Sequence, residues 1–207
     1  RMDSIRDNFD TVFWNESLNA YRTSGHTATD DRANALAVYA GLVPESRYPA
    51  MQKVLTSVYQ ASPYMEKYVL EALYMMGYDN DAVSRMKARY AEMVESDIST
   101  LWEVWDLSGT QNHAWSGGPL TMMGMYAAGV KPIEPGYKKF EIVPQLGTLT
   151  SIDTVVPSAA GNIDLKINET NEAFTIETTV PEGTTAVVGL PIKGGKFAST
   201  ITYNGKV

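Results

Sequence analysis

Pro119-Leu120-Thr121-Met122-Met123-Gly124-Met125-Tyr126-Ala127-Ala128-Gly129-Val130-Lys131-Pro132 is where the chain changes its periodicity. On its N-terminal side apolar residues recur three and four apart, as on one face of a helix; beyond Lys131-Pro132 they recur every second residue, as on one face of a strand. Gly129 is a helix stop, since a glycine adopts the left-handed conformation that ends helices at low cost. The chain therefore reads as α+β, a helical part over residues 1–130 and a strand part over 131–207.

Working back from Pro119, five further helices are expected. Asp79 or Asn80 caps one in which Val83, Met86, Tyr90 and Met93 form an apolar stripe, and Ser62-Pro63 opens another, Tyr64 to Met76, closed by Gly77. Tyr48 to Tyr59 is a third, with Pro49 in its first turn. Asp30 or Asp31 caps a fourth, and Ser4 to Tyr21 makes the first of the series. Helices of this length with short connections favour antiparallel neighbours, hence stacked hairpins. If alternate helices form one layer, their N-terminal ends share a rim that collects Asp30, Asp31, Tyr64 and His113.

Working forward from Pro132, the pairs and triplets Phe140/Ile142, Ile163/Leu165/Ile167, Phe174/Ile176 and Ala186/Val188/Leu190 alternate with polar residues, the pattern of half-buried antiparallel strands. Asn168 to Asn171 is a hairpin loop. Pro157, Pro181 and Pro191 punctuate the rest into the short strands of a β-sandwich. Asn204-Gly205 signals a further hairpin turn. With an opening at Arg1 rather than Met, that unfinished hairpin reads as a piece of a longer protein.

Composition narrows the function. The 207 residues are 44% hydrophobic and 20% charged, an ordinary globular balance. A net charge of −7 without any Lys/Arg block argues against nucleic acid and against an anionic membrane as partner. No run approaches the roughly 18 apolar residues of a membrane helix. The absence of cysteine and the presence of only His26 and His113 exclude thiolate and multi-histidine metal sites, so no metal and no cofactor is expected.

The chemistry concentrates in Thr100-Leu101-Trp102-Glu103-Val104-Trp105-Asp106 and Asn112-His113-Ala114-Trp115-Ser116-Gly117-Gly118. Carboxylates beside tryptophans, a histidine and an asparagine are the residue types of a carbohydrate site: carboxylates move protons, rings stack on sugar faces, and His or Asn binds hydroxyl groups. Each has a plainer reading. Glu103 could face solvent on a helix turn, His113 could be a buried ring satisfied by a carbonyl, and the tryptophans could be core, with Trp105 the first choice to face a ligand. Asp30 and Asp31 are explained as helix caps. Glu66, Glu71 and Arg85 read as helix-surface or ion-pair residues, and His26 as a loop residue.

These two runs, with Asp30 to Val38, Ser62 to Leu73 and Pro132-x-x-Pro135-Gly136-Tyr137, resemble in order the C-terminal part of the alpha-L-rhamnosidases of the glycoside hydrolase family 78 type, from about Asp30 to Gly161. The resemblance implies a partial (α/α) six-hairpin barrel followed by a β-sandwich, and an inverting hydrolase acting on terminal alpha-L-rhamnose. It gives Glu103 the role of general base and His113 that of sugar contact, with Trp105, Tyr64 and Asp30 as further substrate-binding candidates. The general acid has no counterpart in this chain, so the chain alone is expected to be inactive. An incomplete barrel exposes an apolar face, through which self-association is expected. Another six-hairpin glycosidase, or a non-catalytic carbohydrate-binding module, is the alternative.

Overall fold

The computed structural model describes residues 2–23, 25–191 and 202, and it divides into two compact units. The first takes in Arg1–Ala127 with Leu146–Leu149, and the second Ala128–Gln145 with Thr150–Val207. Helices fill the first and strands the second, an α+β chain. Asn204-Gly205 lies outside the described residues.

In the first unit the helices are α1 (Met2–Phe13), α2 (Asp31–Tyr39), α3 (Tyr48–Ser57), α4 (Pro63–Met75), α5 (Asp79–Glu95) and α6 (Gly118–Met122). α4 packs against α2, α5 and α6. Its sequence explains that place: Val69, Leu70, Ala72 and Leu73 are all buried, so this helix is apolar around most of its girth. Each fully buried leucine contributes about 1.5–3 kcal/mol relative to exposure. Ser62 caps α4 by accepting the Met65 N–H, and Pro63 occupies the first turn, where an N–H would have no partner. At the other end Gly77, at φ 80°, donates to Tyr74 O while Tyr78 donates to Leu73 O, the paired closing bonds that a left-handed residue permits.

Several local expectations are corrected. The first helix stops at Phe13 instead of continuing to Tyr21, because the Asn15 side chain accepts from Ser17 Oγ and Leu18 N and turns the chain. A two-rung hairpin, β1 (Trp14–Asn15) with β2 (Ala20–Tyr21), follows. α5 is entered from Tyr78, with no side-chain cap from Asp79 or Asn80. The α6 helix runs on into a π-helical turn over Met123–Ala127, whose Tyr126 hydroxyl donates to Glu71 Oε1 at 3.1 Å.

The second unit holds two three-stranded sheets. β3 (Val130–Pro132), β4 (Lys139–Ile142) and β8 (Thr185–Val188) form one, in the order β3-β4-β8. β5 (Ser151–Ser158), β6 (Gly161–Glu169) and β7 (Phe174–Thr178) form the other, an antiparallel meander. Alternation holds best in β6, where Ile163, Leu165 and Ile167 are buried and their neighbours are not. Two corrections apply. β4 and β8 run parallel, with Phe140 opposite Ala186 and Ile142 opposite Val188, so the pairing is not wholly antiparallel. Pro157 does not interrupt a strand but lies within β5, opposite Asn162; β5 is an edge strand, where a missing N–H costs no ladder bond.

The largest correction concerns charge. Asp31, Glu66 and Arg85 are buried and Glu71 is 7% exposed, so the helix-surface reading of Glu66, Glu71 and Arg85 fails while the ion-pair reading holds for Glu66 and Arg85. Arg85, from α5, donates to both carboxylate oxygens of Glu66 on α4 and to Asp31 Oδ2 at the start of α2, the last at 2.5 Å. Its Nη1 also donates to Leu55 O and Val58 O at the end of α3. Asp31 in turn accepts from Gln60 N at 3.1 Å and Ala61 N at 3.2 Å. Burial alone would lower the Arg85 pKa, but the bonds to Glu66 and Asp31 outweigh it and raise it, so the guanidinium is firmly charged. Arg89, 3.7 Å from Glu66, brings the nearby charges to two of each sign. Replacing Arg85 by Met leaves two buried carboxylates short of a partner, and the expected loss is about 3–5 kcal/mol. A urea titration of Arg85→Met whose midpoint matches that of the unsubstituted chain would contradict this.

Candidate active site

After α5 the chain turns through a loop that carries Glu103 and His113. Trp102 anchors it, 2% exposed and packed with Tyr90 and Met93 of α5. Two backbone bonds close its neck, Glu103 N–H to Thr110 O and His113 N–H to Leu101 O, both 2.9 Å. Glu103 therefore sits at the neck of a loop, not on a helix turn. At the tip, Asp106 accepts from the Ser108 hydroxyl at 2.7 Å and from its N–H at 3.1 Å, and these bonds hold its carboxyl below the usual aspartate range. Asp106 is thus a turn-forming residue.

Within the neck, Glu103 Oε2 accepts from Thr110 N–H at 2.9 Å and from the Thr110 hydroxyl at 3.1 Å. The same hydroxyl meets His113 Nδ1, which stands 3.7 Å from Glu103 Oε2. Oε1 takes none of the described bonds. The Thr110 N–H, then its hydroxyl, and the charge of His113 favour the ionised carboxylate and lower the Glu103 pKa. Gly109 makes this possible: a Cβ there would stand 2.8 Å from Glu103 Oε2 and 3.1 Å from its Cδ.

From His113 the site extends through aromatic rings. The imidazole lies 4.2 Å from the Trp115 ring centroid, and Trp115 lies 5.2 Å from Tyr64 at the start of α4. Trp115 is 47% exposed, the most open of the three tryptophans here. A 3-10 turn over Ala114–Gly117 carries it, fixed by Ser116, whose hydroxyl donates to Trp102 O. Gly118 lets α6 start against α4, since a Cβ there would stand 2.9 Å from Lys67 Cβ.

The five sequence candidates thus divide. Glu103, His113 and Tyr64 join in one chain of contacts, by way of Thr110 and Trp115. Trp105 turns to the protein instead: its indole N–H donates to Ala61 O at 2.8 Å, Arg89 covers its ring at 4.3 Å, and Tyr90 meets it edge-on. Asp30 is the α2 cap, accepting from Ala33 N at 2.8 Å beside Arg32. Asp31, expected on the same rim, is buried against Arg85. Thr110 and Gly109 were not among the candidates; their one sequence signal is position, between a carboxylate and a histidine ten residues apart. An open cleft of about 380 Å³ beside Arg22 and His26 is lined by no carboxylate. Among the described residues no three acidic or histidine side chains converge as metal ligands do, and no helix is long and apolar enough to cross a membrane.

Residues 129–200 match the bacterial alpha-L-rhamnosidase C-terminal domain. An alpha-L-rhamnosidase of Alteromonas sp. (strain LOR) is 26% identical over 95% of this chain and 23% of its own length. The alpha-L-rhamnosidase structure from Dictyoglumus thermophilum superposes with a TM-score of 0.77 at 25% identity, over 92% of this chain and 23% of that one. That of the Streptomyces avermitilis enzyme, complexed with L-rhamnose, gives 0.74 at 21% identity, over 98% and 22%. The chain is thus similar to alpha-L-rhamnosidases over nearly its whole length and spans about a quarter of the length of these relatives.

The hydrogen bonds to Oε2 have a definite pH signature. Because they lower the folded-state pKa, their contribution is complete above the ordinary glutamate range and is lost as pH falls through the lower pKa of Glu103. Carboxyl ¹³C titration of the 207-residue chain should place Glu103 below an ordinary glutamate. Gly109→Ala, which pushes the carboxylate off Thr110, should move it back up; identical titrations of the two chains would contradict the geometry.

Proposed function

We propose that this chain is the base-bearing part of an inverting alpha-L-rhamnosidase, with its helical unit belonging to an (α/α) six-hairpin barrel and its strand unit to a β-sandwich, divided near residue 130. Glu103 is the general base, and the observation that carries this is its hydrogen bonding. A general acid needs a pKa raised towards the working pH, whereas Glu103 is held ionised by Thr110. Oε2 is occupied by two donors, which leaves Oε1 to take a proton.

In this reading water gives its proton to Glu103 Oε1 as its oxygen bonds to the anomeric carbon. The bond from that carbon to the leaving oxygen breaks, and the leaving oxygen takes a proton from an acid that this chain does not carry. Inversion requires the two carboxyls to be about 6.5–9.5 Å apart, on opposite faces of the ring. His113 binds a sugar hydroxyl, and Tyr64 with Trp115 offers ring faces to the substrate. Trp105 and Asp30 serve the loop and the helix instead of the sugar.

In the protein that carries this chain, Glu103→Gln should lower turnover of an aryl alpha-L-rhamnoside by a factor of about 10² or more, with the thermal unfolding curve unchanged. Full activity in that variant removes Glu103 from the base role. The 207-residue chain by itself should release no aryl group from the same substrate, and sustained turnover by it would place the acid within these residues.

A further inference from the structure

One hydroxyl in the site has two partners that constrain each other. Thr110 Oγ1 lies 3.1 Å from Glu103 Oε2 and in contact with His113 Nδ1. A hydroxyl has one proton to donate, and an ionised carboxylate can only accept. The proton therefore goes to Glu103. Thr110 Oγ1 is left with lone pairs alone for His113, so Nδ1 must carry the hydrogen of that contact. Direct bonding between His113 and Glu103 is not an alternative, because 3.7 Å is beyond hydrogen-bond length.

We propose that Thr110 is a positioning residue that holds the Glu103 carboxylate through Oε2 and selects the Nδ1–H tautomer for the uncharged form of the His113 ring, leaving Nε2 of that form as the acceptor for a substrate hydroxyl. The functional meaning rests on the reading of Glu103 and His113 given above, whereas the tautomer follows from the local geometry. A neutral imidazole in water favours the proton on Nε2, so the site imposes the less common form. Which nitrogen is protonated is set by the bond the ring makes, and here a threonine makes it. The threonine N–H adds a second hold on the same oxygen, at 2.9 Å, which no substitution of the side chain removes.

Two measurements test this. The chain has only His26 and His113, so its imidazole ¹⁵N spectrum contains two ring systems, and His113→Gln assigns them. At alkaline pH the His113 ring should show a pyrrole-type Nδ1 and a pyridine-type Nε2. Thr110→Val, which keeps the shape and loses the hydroxyl, should return it to the Nε2–H form; Thr110→Ser should behave as the unsubstituted chain. An Nε2–H tautomer in the unsubstituted chain, or no change in Thr110→Val, overturns the assignment. If the valine variant does not fold, the tautomer of the unsubstituted chain decides alone.

In the protein that carries the chain, Thr110→Val should lower kcat by about tenfold to a hundredfold, the worth of one hydrogen bond to a charged group, and Thr110→Ser should restore it. Unchanged kcat in the valine variant overturns the positioning role. A fully active Glu103→Gln defeats the base reading but leaves the tautomer result standing, so the two failures are distinct.

Discussion

The buried guanidinium of Arg85 is the constraint on which the helical unit depends. It ties the start of α2, the end of α3 and the body of α4 to α5, by bonds to Asp31, to Leu55 and Val58, and to Glu66. A planar, always-charged fork can satisfy several acceptors at once, which an ammonium cannot. Desolvating four charges is costly, and apolar residues of similar volume can pack as tightly. What apolar packing lacks is direction: each bond fixes one helix end relative to another.

That direction reaches the site. Asp31 fixes the backbone at Gln60 and Ala61, and the Ala61 carbonyl accepts from both Trp105 and Arg89. Trp105 belongs to the loop that holds Glu103, so the carboxylate is joined to the buried ion pairs through one indole and one residue, Ala61. A site on a loop is usually less precisely held than one on a helix; here packing and hydrogen bonds on rigid elements supply the support. The methyl and ring atoms of the core explain why the helices cohere, and these polar links explain why Glu103 stands where it does.

Much of this was legible in the sequence. The change of period at Gly129 to Pro132 separates helices from strands, and Ser62-Pro63 and Gly77 mark the ends of α4, because caps are local chemistry. The burial of Asp31, Glu66 and Arg85 was not legible. Charged residues are surface residues by default, and only tertiary pairing, across 54 residues between Asp31 and Arg85, brings them inside. The parallel pairing of β4 with β8 escaped for the same reason, since alternation fixes which face is buried but not the neighbour. In the site, Glu103 and His113 stand out by residue type, whereas Thr110 and Gly109 are ordinary residues whose importance lies in a shared hydroxyl and an absent methyl group.

The π-helical turn after α6 has its own meaning for tolerance to length change. A π turn holds about one residue more than an α turn, and here it ends the helix, with β3 beginning three residues later. Removing one residue ahead of Tyr126 would shift that side chain around the helix by about 100°. Tyr126 would then leave Glu71, and the buried carboxylate would lose the hydroxyl that donates to it. Residue count in this turn is therefore as much a fixed property of the chain as residue identity.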